Sequence, residues 1–422
     1  MSLPEGLRAF RHRNFTLFWF GMAVSLIGTW MQQIGQAWLV FELTNDALAL
    51  GVVAAAQFTP VLLFGLFGGL VADAFSKRKV LVITQVCAGL LALVLGLLVV
   101  TNTVQVWHIF GLALLLGVVN AFDMPIRQAF VIEMVGRSDV ANAVALNSSV
   151  FNLTRIIGPA IAGVTIATIG LEPLFFVNAA SYLAVVVSVV LMRPGELFPS
   201  QRAVFERTWR SVVDRLAEGL RYARREPSIF MCISVLAVVA TFALNFSVLM
   251  PIVARDVLGG GADTYGFLMS AAGLGSLLSA LAIAFGQRPT LRRMLLGAAL
   301  VGVGMLGMSL SRSFPISLVM MFVVGWGMIA MAATMNTIIQ LTVPDQLRGR
   351  VMSVHTTVFA GSTPFGGLFS GSLAAFAGAP WALAVGGVMA LLAALVGYLR
   401  LPDRAPLRTS LSGLGRGEAR NR

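Results

Sequence analysis

The chain has little of what soluble enzymes are built from. Charged residues make up 11% of its 422 positions, histidine occurs 3 times, cysteine twice and tyrosine 4 times. So few charges cannot cover a fold of this length with a solvated shell, which excludes an ordinary water-soluble domain. The cysteines, Cys87 and Cys232, both fall inside apolar runs without partner spacing, so neither a disulfide framework nor a thiolate metal site is expected, and both read as small apolar core residues. His12, His108 and His355 lack acidic or thiol companions at ligand or triad spacing, which excludes a metal centre and a histidine-activated nucleophile. A glycine-rich phosphate loop ending in lysine is also missing, so the chain is not expected to hydrolyse ATP, to act as an enzyme or to carry a cofactor.

What is present is apolar. Hydrophobic residues account for 58% of the chain, and its mean hydropathy is +0.87. Weakly charged stretches of about 20 residues, long enough to cross roughly 30 Å of hydrocarbon as a helix, recur along almost the whole sequence. A helix satisfies its own backbone in that medium. The pattern predicts twelve spans, at 15–40, 47–72, 79–101, 106–130, 141–168, 174–192, 228–253, 264–285, 291–310, 316–341, 351–377 and 381–400. The first apolar run is too long for a signal-peptide core and no small-residue cleavage site follows it, so it is expected to be retained. The expected fold is therefore an all-α polytopic membrane protein. It divides into a six-helix bundle over 1–192, a polar linker at 193–227, a second six-helix bundle over 228–401 and a basic, disordered tail at 402–422.

The net charge of +12 raises the question of nucleic acid, and the distribution of the charge answers it. With the N-terminus in the cytoplasm, Arg8, Arg11, Arg13, Lys77, Arg78, Lys79, Arg137, the eight arginines of 193–225, Arg288, Arg292, Arg293, Arg348, Arg350 and the tail arginines share one side, leaving Arg255 and Arg312 outside. That is the positive-inside asymmetry, and it places both termini in the cytoplasm. Charge scattered over loops is not a nucleic-acid patch.

The second half repeats the first. An offset of 208 residues pairs Val135 with Val343, Val150 with Val358, Phe151 with Phe359, Gly158 with Gly366 and Gly163 with Gly371. Six expected spans separate the copies, so both run in the same direction. A parallel repeat of six spans is the layout of major facilitator transporters, whose site lies between the halves at mid-membrane.

Motifs point the same way. Gly69-Leu70-Val71-Ala72-Asp73-Ala74-Phe75-Ser76-Lys77-Arg78-Lys79 resembles the major facilitator signature loop, with Ala74 and Ser76 departing from its usual basic residue and glycine. Asn120-Ala121-Phe122-Asp123-Met124-Pro125-Ile126-Arg127-Gln128-Ala129-Phe130, Ala141-Asn142-Ala143-Val144-Ala145-Leu146-Asn147-Ser148 and Glu218-Gly219-Leu220-Arg221-Tyr222-Ala223-Arg224-Arg225 resemble the branch of that superfamily holding the enterobactin exporter and the transmembrane secretion effectors. The resemblance covers residues 10–400. It implies secondary active export of a small organic molecule, siderophore-like or drug-like, by alternating access with proton antiport across the bacterial inner membrane. A superfamily importer or lipid flippase, and a receptor or assembly factor that transports nothing, are the alternatives. The expected partners are the substrate, protons and the lipid bilayer, with no nucleic acid, and the expected state is a monomer.

Candidate functional residues follow. By resemblance, Gly69, Asp73 and Arg78, with Asp123, Arg127 and Glu133 of the fourth span, form a charge latch that exists in one conformation only. Physically, a carboxylate at a helix end can pair or cap in one arrangement and release in another. Gly158, Pro159 and Gly163 resemble the glycine-proline kink motif of antiporters, incomplete at Thr154 and Ala162, and are candidates for a hinge.

Arg155 lies about fourteen residues into a span of some 28, near mid-membrane. An unpaired guanidinium there costs at least about 2.5 kcal/mol. A water-filled cavity, an anionic substrate group, an acidic partner or a purely structural pairing with backbone carbonyls would offset that cost, and no acidic residue falls at the same depth, which favours the cavity. Gln32 and Gln36 in the first span, Thr241 and Asn245 at the equivalent sites of the seventh, and Asn336 and Gln340 in the tenth stand one helical turn apart within each pair. They are substrate-contact candidates, with Trp30, Trp38, Phe246, Trp326 and Met335 as adaptable apolar walls. Helical spacing of Phe205, Trp209, Val212, Val213, Leu216 and Leu220 predicts an amphipathic helix on the cytoplasmic membrane surface between the halves.

Overall fold

The computed structural model describes residues 5–198, 209–285 and 289–401, excluding the side chains of 66–74, 209–213, 215 and 345. Gly69 and Asp73 of the expected latch therefore lie outside the described side chains, and Phe205 and the tail outside the described residues. The described chain is a succession of helices: α1 (Arg13–Thr44), α2 (Ala47–Ala74), α3 (Lys77–Val100), α4 (Val106–Ile169), α5 (Glu172–Val190), α6 (Trp209–Arg225), α7 (Pro227–Phe242), α8 (Phe246–Ile252), α9 (Ala262–Ala284), α10 (Leu291–Leu310), α11 (Phe314–Thr342), α12 (Asp345–Ala377) and α13 (Ala379–Leu399). A 3-10 turn at Glu5–Arg11 precedes α1, and a π-helical turn at Val253–Val257 extends α8.

Ten helices among the described residues are long and apolar enough to cross a membrane. Two features separate that number from twelve expected spans. α4, at 64 residues, contains the expected fourth and fifth spans and breaks at Gly136, where φ is 70° and ψ is 176°. Unbroken, a helix of that length would reach about 96 Å, three times the hydrocarbon thickness. Its two limbs pack separately. A Cβ at Gly117 would lie 2.2 Å from the Gln57 carbonyl oxygen of α2, whereas one at Gly163 would lie 2.8 Å from the Ala262 carbonyl oxygen of α9. The second feature is α12, which has the length at 33 residues but carries charges in its first turns and a run of serine, threonine and histidine.

The break at Gly136 is fastened from outside. The Phe198 amide donates to the Glu133 carbonyl at 2.8 Å, and the Phe198 ring would lie 3.2 Å from a Cβ at Gly136. The N-terminal turn grips the following residues: Arg8 pairs with Asp139 at 2.7 Å, His12 Nε2 meets the other carboxylate oxygen at 2.9 Å, and the Ala9 amide donates to Asn142 Oδ1 at 2.8 Å. α6 docks on α12 and α7 of the second half rather than lying between the halves. A Cβ at Gly219 would stand 2.5 Å from the Arg350 carbonyl oxygen, and Glu218 pairs with Arg350.

The repeat is visible in the packing. Gly158 of α4 faces Trp30 of α1, as Gly366 of α12 faces Thr241 and Asn245 of the α7–α8 segment. Gly163 approaches Ala262 of α9, and Gly371 approaches Ala47 of α2, each with 2.8 Å between a would-be Cβ and the facing carbonyl oxygen. Small residues allow this approach because lipid supplies no hydrophobic drive between helices, leaving close van der Waals packing to hold them. The same residue types at the same offset thus make the same two crossings from each half, the first within it and the second to the other half.

Cys232 is buried in the core, its Sγ 3.5 Å from Met294 Sδ. Cys87 is exposed, correcting the expectation of a core position. Its α3 face points away from the bundle, where an apolar thiol meets lipid as readily as protein.

Candidate functional site

The two halves, α1–α5 and α7–α13, meet along α2–α12 and α4–α9. Their closest approaches cluster at the end of the bundle away from the termini, where α1 finishes and α2 and α9 begin. A Cβ at Gly51 would lie 2.4 Å from the Gly367 carbonyl oxygen, and one at Gly266 would lie 2.4 Å from that of Pro159. Trp38 of α1 stacks on Tyr265 of α9 with ring centroids 6.5 Å apart. Arg255, in the π-helical turn, hydrogen-bonds Asn45, and its guanidinium lies 3.8 Å from the Phe41 ring centroid. Toward the terminal end α2 and α12 still meet, with Leu62 3.2 Å from a Cβ built on Gly361, whereas Cβ atoms built on Gly65 of α2 and Gly349 of α12 would meet nothing within 4 Å.

Arg155 stands on α4 where this seam passes mid-depth. Its Nη2 lies 3.6 Å from Met328 Sδ of α11, and its guanidinium carbon lies 6.0 Å from the Trp30 ring centroid of α1. Groups from both halves therefore flank it. No carboxylate pairs with it among the described residues, and a thioether is a weak acceptor for a five-donor cation. The buried Trp30 Nε1 also has no hydrogen-bond partner. Phe151 adds a ring 5.7 Å from Trp30, edge to face, and is itself 45% exposed. The result is a half-buried patch of two donors and two apolar walls that wants an acceptor.

The other polar candidates divide by location. Asn336 and Gln340 lie on α11, eight and twelve residues past Met328, about 12 to 18 Å toward the terminal end. Gln340 Nε2 donates to Asn336 Oδ1 at 2.6 Å and is exposed. Gln32 does not reach the seam: its Oε1 accepts from Asn178 Nδ2 of α5 at 2.7 Å, an amide pair inside the first half. Gln36 is buried on the same helix. Asn245 caps the discontinuity between α7 and α8 by donating to the Thr241 carbonyl at 2.8 Å, so this pair serves a helix break and packs on Gly366. Trp38, Phe246 and Met335 are buried in packing, while Trp30 and Trp326 are half-buried.

The expected hinge residues lie at crossings. Gly158 packs on α1, and Pro159 and Gly163 pack on α9 across the seam. The irregular backbone falls instead at Gly136, which sequence reasoning passed over because a glycine inside a polar connection carries no signal of its φ.

Among the expected latch residues, Asp123 is buried and accepts from Thr84 Oγ1 and Gln85 Nε2 of α3, both at 2.8 Å, besides pairing with Arg127. Glu133 pairs with Lys77 at 2.6 Å. Arg78 pairs with neither acid: its Nε and Nη2 donate to the Val189 and Val190 carbonyls at 2.9 and 2.8 Å, where a cation complements the C-terminal end of α5. Arg255 is the residue that sequence reasoning undervalued, since a lone arginine in a loop away from the termini reads only as topology.

Comparison with known proteins agrees with this architecture. The family model described as transmembrane secretion effector matches residues 5–410. The multidrug efflux pump Tap of Mycolicibacterium fortuitum is 30% identical over 353 residues, covering 81% of this chain and 84% of the pump. The staphyloferrin A transporter of Staphylococcus aureus is 26% identical, with 84% and 88% covered. Among solved structures, a bacterial homolog to the human lysosomal transporter Spinster, in an inward-facing and occupied conformation, superposes with a TM-score of 0.71 at 13% identity over 94% of this chain and 97% of that one. That likeness concerns the fold.

Proposed function

This chain belongs to the transmembrane secretion effector family of major facilitator transporters, and from that premise we propose that it exports a small organic molecule, drug-like or siderophore-like, in exchange for protons. The observation that carries the reading is the Arg155–Trp30 patch. Two donors without acceptors sit between the halves, in the low-dielectric middle of a seam that packs closely at the end away from the termini. A carboxylate or another electron-rich oxygen on an aromatic substrate satisfies both donors, while Phe151 and Met328 accommodate its apolar body. Asn336 and Gln340 line the approach.

The chain is a multi-pass membrane protein. We place it in the bacterial inner membrane as a monomer with both termini cytoplasmic, on the side that carries nearly all loop arginines. With that orientation the closely packed end of the seam is the outward one, which supports loading of the substrate from the cytoplasm. The similarity to a multidrug efflux pump supports the direction, and that pump together with the staphyloferrin A transporter supports the substrate class.

The test uses inverted membrane vesicles energised by respiration and offered a panel of aromatic carboxylates and antibiotics. Uptake that collapses with a protonophore is the expected result. Uptake that survives the protonophore rejects proton coupling, and the absence of flux for any compound that binds the purified protein rejects the transporter reading.

A further inference from the structure

On the outer edge of the second half, α10 and α13 close on each other at Gly302 and Gly387, where a Cβ on Gly302 would lie 2.8 Å from the Gly387 carbonyl oxygen. Beside that seam runs a groove of about 590 Å³. Leu296 and Ala299 of α10 and Val388, Leu392 and Leu395 of α13 wall it, with Arg292 and Tyr398 at the terminal end. The groove spans 388 to 398 on α13, about 15 Å of helix, which is the hydrocarbon depth of one leaflet. Its apolar walls are exposed outward, to lipid rather than to the interior crevice.

The charge at its end is informative. The first turn of α10 holds Arg292 and Arg293 and no acid, so two cations occupy the end of the helix where the backbone dipole opposes them. Arg292 has no carboxylate partner among the described residues. Tyr398 adds a hydroxyl at the same level, in the last turn of α13. An apolar slot one leaflet deep, headed by an arginine and a phenol, matches one acyl chain beneath a phosphate. An arginine without a carboxylate partner, set beside the positive end of the helix, favours a headgroup of net negative charge over one that carries its own ammonium.

We propose that the α10–α13 groove is a binding site for one anionic phospholipid of the terminal-side leaflet, its chain along Leu296, Ala299 and Leu392 and its phosphate on Arg292. The site is separate from the Arg155 patch and does not depend on what is transported. Anionic lipid in it would fasten α10 to α13, the pair that borders the second bundle.

The test is native mass spectrometry of the full-length protein released from nanodiscs of phosphatidylcholine doped with phosphatidylglycerol. One phosphatidylglycerol should be retained per chain in preference to phosphatidylcholine. Arg292→Gln should lower that occupancy about fivefold, the contribution of one arginine at an anionic surface, while Arg312→Gln, at the other end of α10, should leave it unchanged. Ala299→Trp should abolish retention by filling the slot. Leu392→Trp fills it from the exposed wall, so a misfolded Ala299 variant would not spare the idea. Wild-type occupancy in Arg292→Gln, equal retention of phosphatidylcholine, or full occupancy in both groove-filling variants overturns the proposal.

Discussion

Arg255→Ala gives a direct measure of how the closed end is held. The arginine makes two contacts across the seam, a charge-assisted hydrogen bond to Asn45 and a position over the Phe41 ring. Its side chain is 33% exposed, so each contact takes the lower end of its usual range: about 1.5 kcal/mol for the hydrogen bond and about 0.5 kcal/mol for the cation on the ring. Both vanish when the end opens. Asp256, 3.0 Å from Arg255 within the same turn, loses its neighbour equally in both states and cancels. Removing about 2 kcal/mol from the closed form shifts the equilibrium roughly 30-fold toward opening at that end. Spin labels at Leu48→Cys of α2 and Phe376→Cys of α12, both exposed at this end, report the change as a longer inter-label distance in pulsed electron resonance. Arg255→Lys should fall between, keeping the charge while losing the planar donors. A distance distribution unchanged by Arg255→Ala would refute the idea that these contacts bias the states.

Gly163→Leu and Gly371→Leu occupy the two crossings related by the repeat, and each should disfavour closure by the cost of overpacking, about 1 to 3 kcal/mol; labels at the same positions should show shifts of the same sign, and an effect from only one would break the equivalence. Gly136→Ala places a side chain in backbone space open essentially to glycine alone, so the purified protein should lose about 1 to 3 kcal/mol of stability, and an unchanged melting temperature would contradict the φ of 70°. Lys77→Gln and Glu133→Gln each break a mostly buried ion pair whose members are 9% and 17% exposed, so the double substitution should be milder than their sum, with a coupling of about 0.5 to 3 kcal/mol in melting experiments; strict additivity would mean that the pair does not interact. Arg155→Lys, Arg155→Ala and Trp30→Phe should each weaken substrate binding in calorimetry, the first because lysine keeps the charge but loses the two-pronged donor; normal affinity in all three would move the site toward Asn336 and Gln340.

What could be read from the chain depended on whether a residue's meaning is local. A span is a local property, since twenty apolar residues cross a bilayer whatever surrounds them, and the expected spans fall on the described helices. The glycines at 158, 163, 366 and 371 were legible as a repeat because two identical crossings need identical small residues. Polar residues were harder. Gln32 has the spacing of a cavity residue, yet its partner Asn178 lies 146 positions away, and periodicity cannot distinguish a helix face turned to a cavity from one turned to a neighbour. Arg78 and Lys77 are adjacent, and only three dimensions decide that the lysine takes Glu133 while the arginine takes the end of α5. Arg255 acquires its contacts only because the halves close over it, a state that the sequence does not encode at any one position.

The repeat also sharpens the meaning of Arg155. Its counterpart at the same offset is Thr363, an uncharged residue on α12 whose hydroxyl reaches the Phe359 carbonyl at 3.5 Å within its own helix. The packing glycines that follow the two positions, Gly158 and Gly163 in one and Gly366 and Gly371 in the other, match, so the scaffold at mid-depth is nearly two-fold, while the charge belongs to one half alone. A symmetric packing role would give both halves the same residue, as it does at 158 and 366. A guanidinium kept in only one copy, flanked by the indole of its own half and the thioether of the other, has the asymmetry that a substrate with one charged end requires. Rocking one half against the other then changes the distance from Arg155 to Met328 while leaving Arg155 and Trp30, both in the first half, in register. In the proposed export cycle the charge-reading part of the site therefore travels as a unit with the first half, and the apolar wall from α11 is the part that opens and closes upon it.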